Sequence, residues 1–302
     1  MSLSPALPDA VDLARQACEA SGLDSSGLRL IRHYSNAVVL VPHAGAVGAV
    51  ARVALGRHDR AQVQRSLWIT RWLRERGFPT VIPLAGIGVQ TPKPEVSVSF
   101  WEYLPQPEPP RRFDSADLAC LLARLHELRV PRGELADWQP LASLARALRG
   151  EPGTVLSPSQ HRWLTDRVAE VGDRLKKREW VLGEGAIHGD AWLGNLMSAP
   201  AGPVLGDWDQ VAWGPREVDL IPSWHATRRY GRDPAWSERF AAAYGYDLGG
   251  SPVYEDLMAM RDLAQLPGPL HRAPDSEPHA TALRQRLGDL MAGNTTSPWL
   301  AL

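Results

Sequence analysis

Ile187-His188-Gly189-Asp190-Ala191-Trp192-Leu193-Gly194-Asn195 carries an Asp, a His two residues before it and an Asn five residues after it. Twelve residues beyond Asn195 lies a second acidic site, Leu205-Gly206-Asp207-Trp208-Asp209. These are the donor types that phosphoryl transfer needs. One carboxylate must sit by an attacking hydroxyl, and a carboxylate plus an amide oxygen must hold Mg²⁺ against nucleotide phosphates. A third stretch follows at once, Gly214-Pro215-Arg216-Glu217-Val218-Asp219-Leu220.

The first loop has the His-x-Asp-x-x-x-x-Asn spacing of the protein-kinase catalytic loop. With the two later stretches, it resembles the aminoglycoside phosphotransferase family, which also holds choline-kinase-like and other small-molecule kinases. The resemblance runs from about Leu28 to about Tyr246 and is stronger in the catalytic half. It implies an α+β, bilobed, protein-kinase-like fold. Residues 1–103 would form a small antiparallel β lobe that binds nucleotide, and residues 104–302 a larger, mainly helical lobe for catalysis and the acceptor. It further implies Asp190 as the residue that orients the substrate hydroxyl and accepts its proton. Asn195 and Asp207 would be the Mg²⁺ ligands, with ATP or GTP as phosphate donor. An aspartate is a weak base, so Asp190 is expected to position the nucleophile and take the proton late.

Composition sets the outer limits. With 302 residues, 44% of them hydrophobic, the chain can bury a sizeable core in about two domains or one bilobed unit. Lys+Arg number 33 against 34 Asp+Glu, a balance that gives no support for a nucleic-acid or membrane-surface partner. Cys18 and Cys120 are far apart and match no metal spacing, which suits a reduced, cytoplasmic setting. The amino end lacks a basic region followed by an apolar run, and no stretch is apolar enough to span a bilayer. Neither a secretion signal nor a membrane anchor is expected. Twelve Trp against four Phe is explained by core packing, or by rings that line a substrate cleft.

Along the chain, residues 7–21 show helical spacing, closed by Gly22. Three β-branched runs follow at 28–32, 37–41 and 49–55. The turn His33-Tyr34-Ser35-Asn36 falls where kinases fold a loop over the phosphates, although it has no Gly. The Ser35 hydroxyl could meet a phosphate there, or the turn is an ordinary hairpin. Arg52 sits mid-strand on the same face as Val50. By resemblance it replaces the strand lysine that grips the α/β-phosphates, and its planar fork suits that task. A helix is expected over 58–76. Where the family has a Glu paired with that strand cation, this chain has Arg65-Ser66. Strands are expected from Val81 to Val89 and over 96–101, joined by the turn Thr91-Pro92-Lys93-Pro94. The Pro-rich run after Glu102-Tyr103-Leu104 reads as a boundary. By resemblance it is the hinge, with the Glu102 carbonyl and Leu104 amide on the adenine edge; otherwise it is a plain linker.

Beyond the hinge, helices are expected from Asp114 to Leu128 and over 134–150, 157–178, 216–229, 234–245, 253–265 and 276–292. Short strands at 186–187 and 203–205 bracket the catalytic loop. Leu266–Pro269 reads as a loop and Asn294–Leu302 as a loose tail. His126 reads as a packing histidine, His188 as a brace for the loop, and Asp219 as a helix cap or an anchor for the loop's N–H groups. The arginines Arg162, Arg167, Arg174, Arg228, Arg229 and Arg232 argue against a polycationic acceptor. Trp213, Trp224 and Trp236 either stack on the acceptor or pack the core. The expected acceptor is a hydroxylated small molecule, an antibiotic or related natural product. The alternatives are a metabolic kinase of the choline, sugar or homoserine kind, and a nucleotide-binding pseudokinase. A metal-dependent hydrolase built on His188, Asp190, Asp207 and Asp209 would want more His ligands.

Overall fold

A computed structural model of the chain describes residues 7–33, 36–44, 48–55, 60–150 and 155–302. In chain order its elements are α1 (Leu7–Ala20), β1 (Arg29–His33), β2 (Asn36–Val41), β3 (Ala49–Leu55), α2 (Arg60–Glu75), β4 (Gln90–Lys93) and β5 (Val96–Glu102). Then come α3 (Ser115–Glu127), α4 (Ala142–Arg149), α5 (Pro158–Lys176), β6 (Glu184–Ile187), β7 (Leu196–Ala199), β8 (Gly202–Leu205) and β9 (Ala212–Pro215). The chain ends with α6 (Glu217–Tyr230), α7 (Ala235–Tyr244), α8 (Tyr254–Ala264), α9 (Pro267–Arg272) and α10 (Glu277–Met291). It divides into two compact units. One is Met1–Phe113 with Gly194–Val211, and the other is Asp114–Leu193 with Ala212–Leu302.

In the first unit a five-stranded antiparallel sheet has the order β1-β2-β3-β5-β4. Strand alternation gives it two apolar faces. Ala49, Ala51 and Val53 of β3 point with Ala37, Val39 and Val41 of β2 toward Leu13, Ala14, Ala17 and Cys18 of α1. Ala54 and, on β5, Trp101 point the other way, onto Val63 and Leu67 of α2. Arg52 therefore lies on the α2 side of a central strand, not at an edge. The hairpin of β7 and β8 joins this unit through Thr80, whose stretch pairs with Leu205.

The second unit is mostly helical. Asp114 and Asp117 form a reciprocal capping box at the start of α3, and Ser157 and Gln160 form one at α5. The strands β6 and β9 pair antiparallel from Glu184↔Pro215 to Ile187↔Ala212. Gly214 has no room for a side chain there, since a Cβ would stand 2.6 Å from Cβ of Trp138.

Several expectations need correction. Val81–Val89 is not a strand. It makes only the isolated bridge Pro83↔Trp101, while Thr91, Pro92 and Lys93, expected as a turn, lie in edge strand β4. Proline is tolerated at such an edge because its missing N–H costs no ladder bond. Residues 134–141 precede the helix instead of opening it, and α4 starts at Ala142. Pro267 at a first helical position starts α9 where a loop was expected. The segment Asn294–Trp299 is docked on α6. The Arg229 guanidinium donates to the carbonyls of Asn294 and Ser297, and Trp299 is buried over it. No described helix is long and apolar enough to cross a membrane.

Candidate functional site

The residues singled out in the sequence fall in both units. In the second, Asp190 follows a loop clamped from beneath. Asp219 in the first turn of α6 is fully buried. Its carboxylate accepts the N–H of His188 at 2.7 Å and the N–H of Gly189 at 2.8 Å. Both amides can face one carboxylate because Gly189 takes a left-handed turn, φ 82°, which a side chain would strain. The same carboxylate meets His126 Nε2 at 3.1 Å. A carboxylate only accepts, so Nε2 carries a proton. The Tyr244 hydroxyl closes the other end of the ring at 2.7 Å from Nδ1. Burial, then the nearby Asp219 charge, push the Tyr244 phenol above its ordinary value and keep it an O–H donor. His126 packs as expected, and Asp219 anchors the loop.

This clamp leaves the Asp190 side chain 40% exposed. Its Oδ1 is held at 2.8 Å by Arg261 of α8, and the Asp190 N–H points at His188 Nδ1. Trp192, two residues on, is half exposed.

In the first unit Asn195 and Asp207 flank the open end of the β7–β8 hairpin. The last ladder pair is Leu196↔Leu205, and Gly206 N–H donates to the Asn195 carbonyl at 2.9 Å. Asp207 has φ 56°, a left-handed conformation that a non-glycine residue seldom adopts. The turn sends Trp208 inward, fully buried, with its Nε1–H on Thr80 Oγ1 at 2.9 Å. The flanking acids separate by this inward step. Asp207 keeps its side chain 39% exposed, while Asp209 is 9% exposed.

Arg52 reaches both. It donates to Asp209 Oδ1 and Oδ2 at 2.6 and 2.7 Å and to Asp207 Oδ1 at 2.6 Å. Burial alone would lower the guanidinium's pKa, but the charges of Asp209 and Asp207 more than offset it and raise it. Asp209 also accepts from Asn36 Nδ2 at 3.1 Å, and Ser66 of α2 stands 3.5 Å from its Oδ1. Gln62 of α2 donates to the Asp209 carbonyl. The sequence offers Asp209 only as a rival metal ligand beside Asp207, and it does not single out Asn36 or Arg261 as site residues.

The remaining nucleotide candidates are placed less tightly. Ser35 lies outside the described residues. Glu102 ends β5 and donates its N–H to the Ile82 carbonyl at 2.8 Å; Leu104 follows, half-buried. No described group of three His, Cys, Asp or Glu could hold a metal ion. Mg²⁺ takes one or two protein oxygens and fills its shell with water and phosphate. The Asn195 carboxamide and Asp207 carboxylate are oxygen donors of that kind.

A protein-family model described as the phosphotransferase enzyme family matches residues 27–259, most of the chain. The chain belongs to this family, the aminoglycoside phosphotransferase family. Its fold is α+β and kinase-like. An amicoumacin kinase, solved with AMP-PNP, Ca²⁺ and its antibiotic, superposes with a TM-score of 0.69 at 14% identity, covering 95% of this chain and 97% of that one. A microcompartment-associated aminopropanol kinase gives 0.68 at 20% identity, covering 94% and 99%. A choline/ethanolamine kinase family protein from Mesorhizobium loti gives 0.61 at 16% identity, covering 94% of each. At such identities these likenesses concern the fold alone. Among curated proteins nothing matches the phosphotransferase.

The arginines expected to shape the acceptor side of this phosphotransferase are mostly accounted for otherwise. Arg229 is fully buried on Asp262, and Arg167 pairs with Glu170. Arg174 pairs with Glu170 and Asp256, Arg228 with Glu255, and Arg232 stacks over Trp236. Five of the six arginines therefore have partners of their own. Trp224 and Trp236 are core residues, with Trp224 edge-on to Phe240.

Proposed function

We propose that this phosphotransferase moves the γ-phosphoryl group of ATP or GTP to a hydroxyl of a small molecule, an antibiotic or related natural product. The observation that carries this is the loop held by Asp219, which presents the Asp190 carboxylate at an exposed position inside a family-matched phosphotransferase sequence. In this reading residues 1–103 form the nucleotide lobe and 104–302 the catalytic and acceptor lobe. Asp190 orients the acceptor hydroxyl and takes its proton late in the transfer. Asn195 and Asp207 would hold Mg²⁺, which when bound neutralises charge on the phosphates. Arg52 and the Ser35 hydroxyl would meet the phosphates, and the Glu102 carbonyl and the Leu104 amide would hold the adenine edge. Positioning and fixed charge then supply most of the rate. The setting is cytoplasmic, in keeping with two free thiols, Cys18 and Cys120.

Arg261 bears on the acceptor. A fixed guanidinium 2.8 Å from the Asp190 carboxylate disfavours a polycation beside it and suits a neutral or anionic hydroxyl compound. A metabolic alcohol remains the second reading, because the similar structures include an aminopropanol kinase. The test is to incubate the protein with ATP or GTP, Mg²⁺ and a panel of hydroxylated natural products and metabolic alcohols. Mass spectrometry then looks for the gain of one phosphate. Nucleotide bound with no acceptor modified would instead favour a binding module.

A further inference from the structure

The kinase-like family pairs its strand cation with an acid on the following helix, and α2 has none in the matching place. Its only acid is Glu75, in its last turn. The cation nonetheless has a fixed partner. Asp209, in the turn after β8, meets Arg52 through both carboxylate oxygens and is itself pinned by Asn36 at the start of β2. The α2 side chains Ser66 and Gln62 bind the same turn, Ser66 through the Trp208 carbonyl at 3.0 Å and Gln62 through the Asp209 carbonyl. The helix thus keeps its place in the arrangement, although the charge has moved from the helix to the turn that it holds.

We propose that Asp209 is the positioning residue for Arg52, an anchor that fixes the guanidinium so that it meets nucleotide phosphate in one geometry. The proposal rests on the nucleotide-binding reading given above. Two features separate Asp209 from Asp207. Asp209 is 9% exposed and meets Arg52 through both oxygens, whereas Asp207 is 39% exposed and meets Arg52 through Oδ1. Arg52 spans a buried contact and an open one. A ligand that takes over the Asp207 carboxylate competes only for the open contact. The guanidinium stays on Asp209 and keeps its direction. Without Asp209 the same arginine could follow Asp207 or any incoming anion, and the grip on phosphate would lose its register. An arginine suits this task better than a lysine, because its planar fork can satisfy both partners at once.

The test is a double-mutant cycle on the full chain with two readouts. Arg52→Met, Asp209→Asn and the double variant are compared with wild type, first in urea unfolding without ligand. They are then compared in binding of the non-hydrolysable analogue AMP-PNP with MgCl₂. Asp209→Asn keeps the shape of the side chain, so folding is expected to survive. In unfolding, the pair should couple by about tenfold or more in the equilibrium constant. In binding, each single variant should weaken AMP-PNP by about tenfold or more, and the double variant no further than Arg52→Met alone. Asp209→Glu, which keeps the charge, should restore part of the loss. Additive losses in binding would overturn the proposal, since Asp209 would then act on the ligand directly. Tight binding by Asp209→Asn would overturn it too. Failure of the nucleotide reading looks different. Wild type itself would then bind neither AMP-PNP nor its guanine counterpart GMP-PNP, and the unfolding cycle alone would decide whether Asp209 anchors Arg52.

Discussion

At the scale of single residues, the catalytic assignment turns on the contrast between Asp190 and Asp219. Asp219 is buried and spent on the backbone, and Asp190 is 40% exposed and meets Arg261 at Oδ1. Asp190→Ala should lower turnover by about 10²–10⁴-fold, the range for a lost proton acceptor, while AMP-PNP affinity stays within about twofold. A variant that retained substantial transfer would remove Asp190 from the mechanism. Asp219→Asn should act on folding instead. The amide sets an N–H donor against backbone N–H groups at a fully buried position. A loss of about 2–3 kcal/mol is expected, read as a lower urea midpoint at constant slope. A midpoint shift below about 0.5 kcal/mol would mean the clamp is dispensable. Asp190, Asn195, Asp207 and Asp219 stand out in the sequence as candidates because one short loop and the turns after it fix their spacing. Asp209 as a partner of Arg52 and Arg261 as a partner of Asp190 join residues 157 and 71 positions apart, so no local pattern announces them.

At the scale of elements, what could be read locally was read well. The helix starts at Asp114 and Ser157 and the three β-branched runs each carry their own signal within a few residues. Val81–Val89 failed because apolar spacing cannot tell a strand from a packed loop whose N–H groups find scattered partners. Gln90–Lys93 was missed because its proline looked like a turn until the edge position was known. The pair β6–β9, whose end at Ile187 leads directly into the catalytic loop, gives a sharper test. A Cβ on Gly214 would stand 2.6 Å from Trp138 Cβ and 3.1 Å from Ile187 Cδ1, and a Cβ cannot swing away as a side-chain tip can. Gly214→Ala should therefore destabilise the protein by about 1–3 kcal/mol through overpacking, despite alanine's better backbone entropy. A variant as stable as wild type in thermal unfolding would show that Trp138 gives way without cost.

At the scale of the whole molecule, stability should depend on pH through a buried charge arrangement that joins α6 and α8. Asp262 of α8 accepts two bonds from Arg229 of α6, at 2.9 and 2.6 Å, and one from His225 Nε2 at 3.0 Å. Arg229 already balances the carboxylate, so a second positive charge on His225 would be buried without a partner. Burial pushes His225 down to about 4 from 6.5, which leaves it neutral in the native protein near pH 7. Burial works to raise Asp262, but the hydrogen bonds from His225 and Arg229 prevail and hold it below its ordinary range. The signs agree. Between pH 6.5 and about 4 the unfolded chain binds a proton at His225 that the native state refuses, so stability falls as the solution is acidified. Below the ordinary carboxylate range Asp262 adds a further loss. Integrated from pH 7.5 to 4.5, the His225 contribution amounts to roughly 2–3 kcal/mol. Urea unfolding across that range should show this loss in wild type. His225→Gln, which keeps a neutral donor for Asp262, should be flatter by about one proton's slope. Parallel curves for the two proteins would mean that His225 titrates in the folded state much as it does in water.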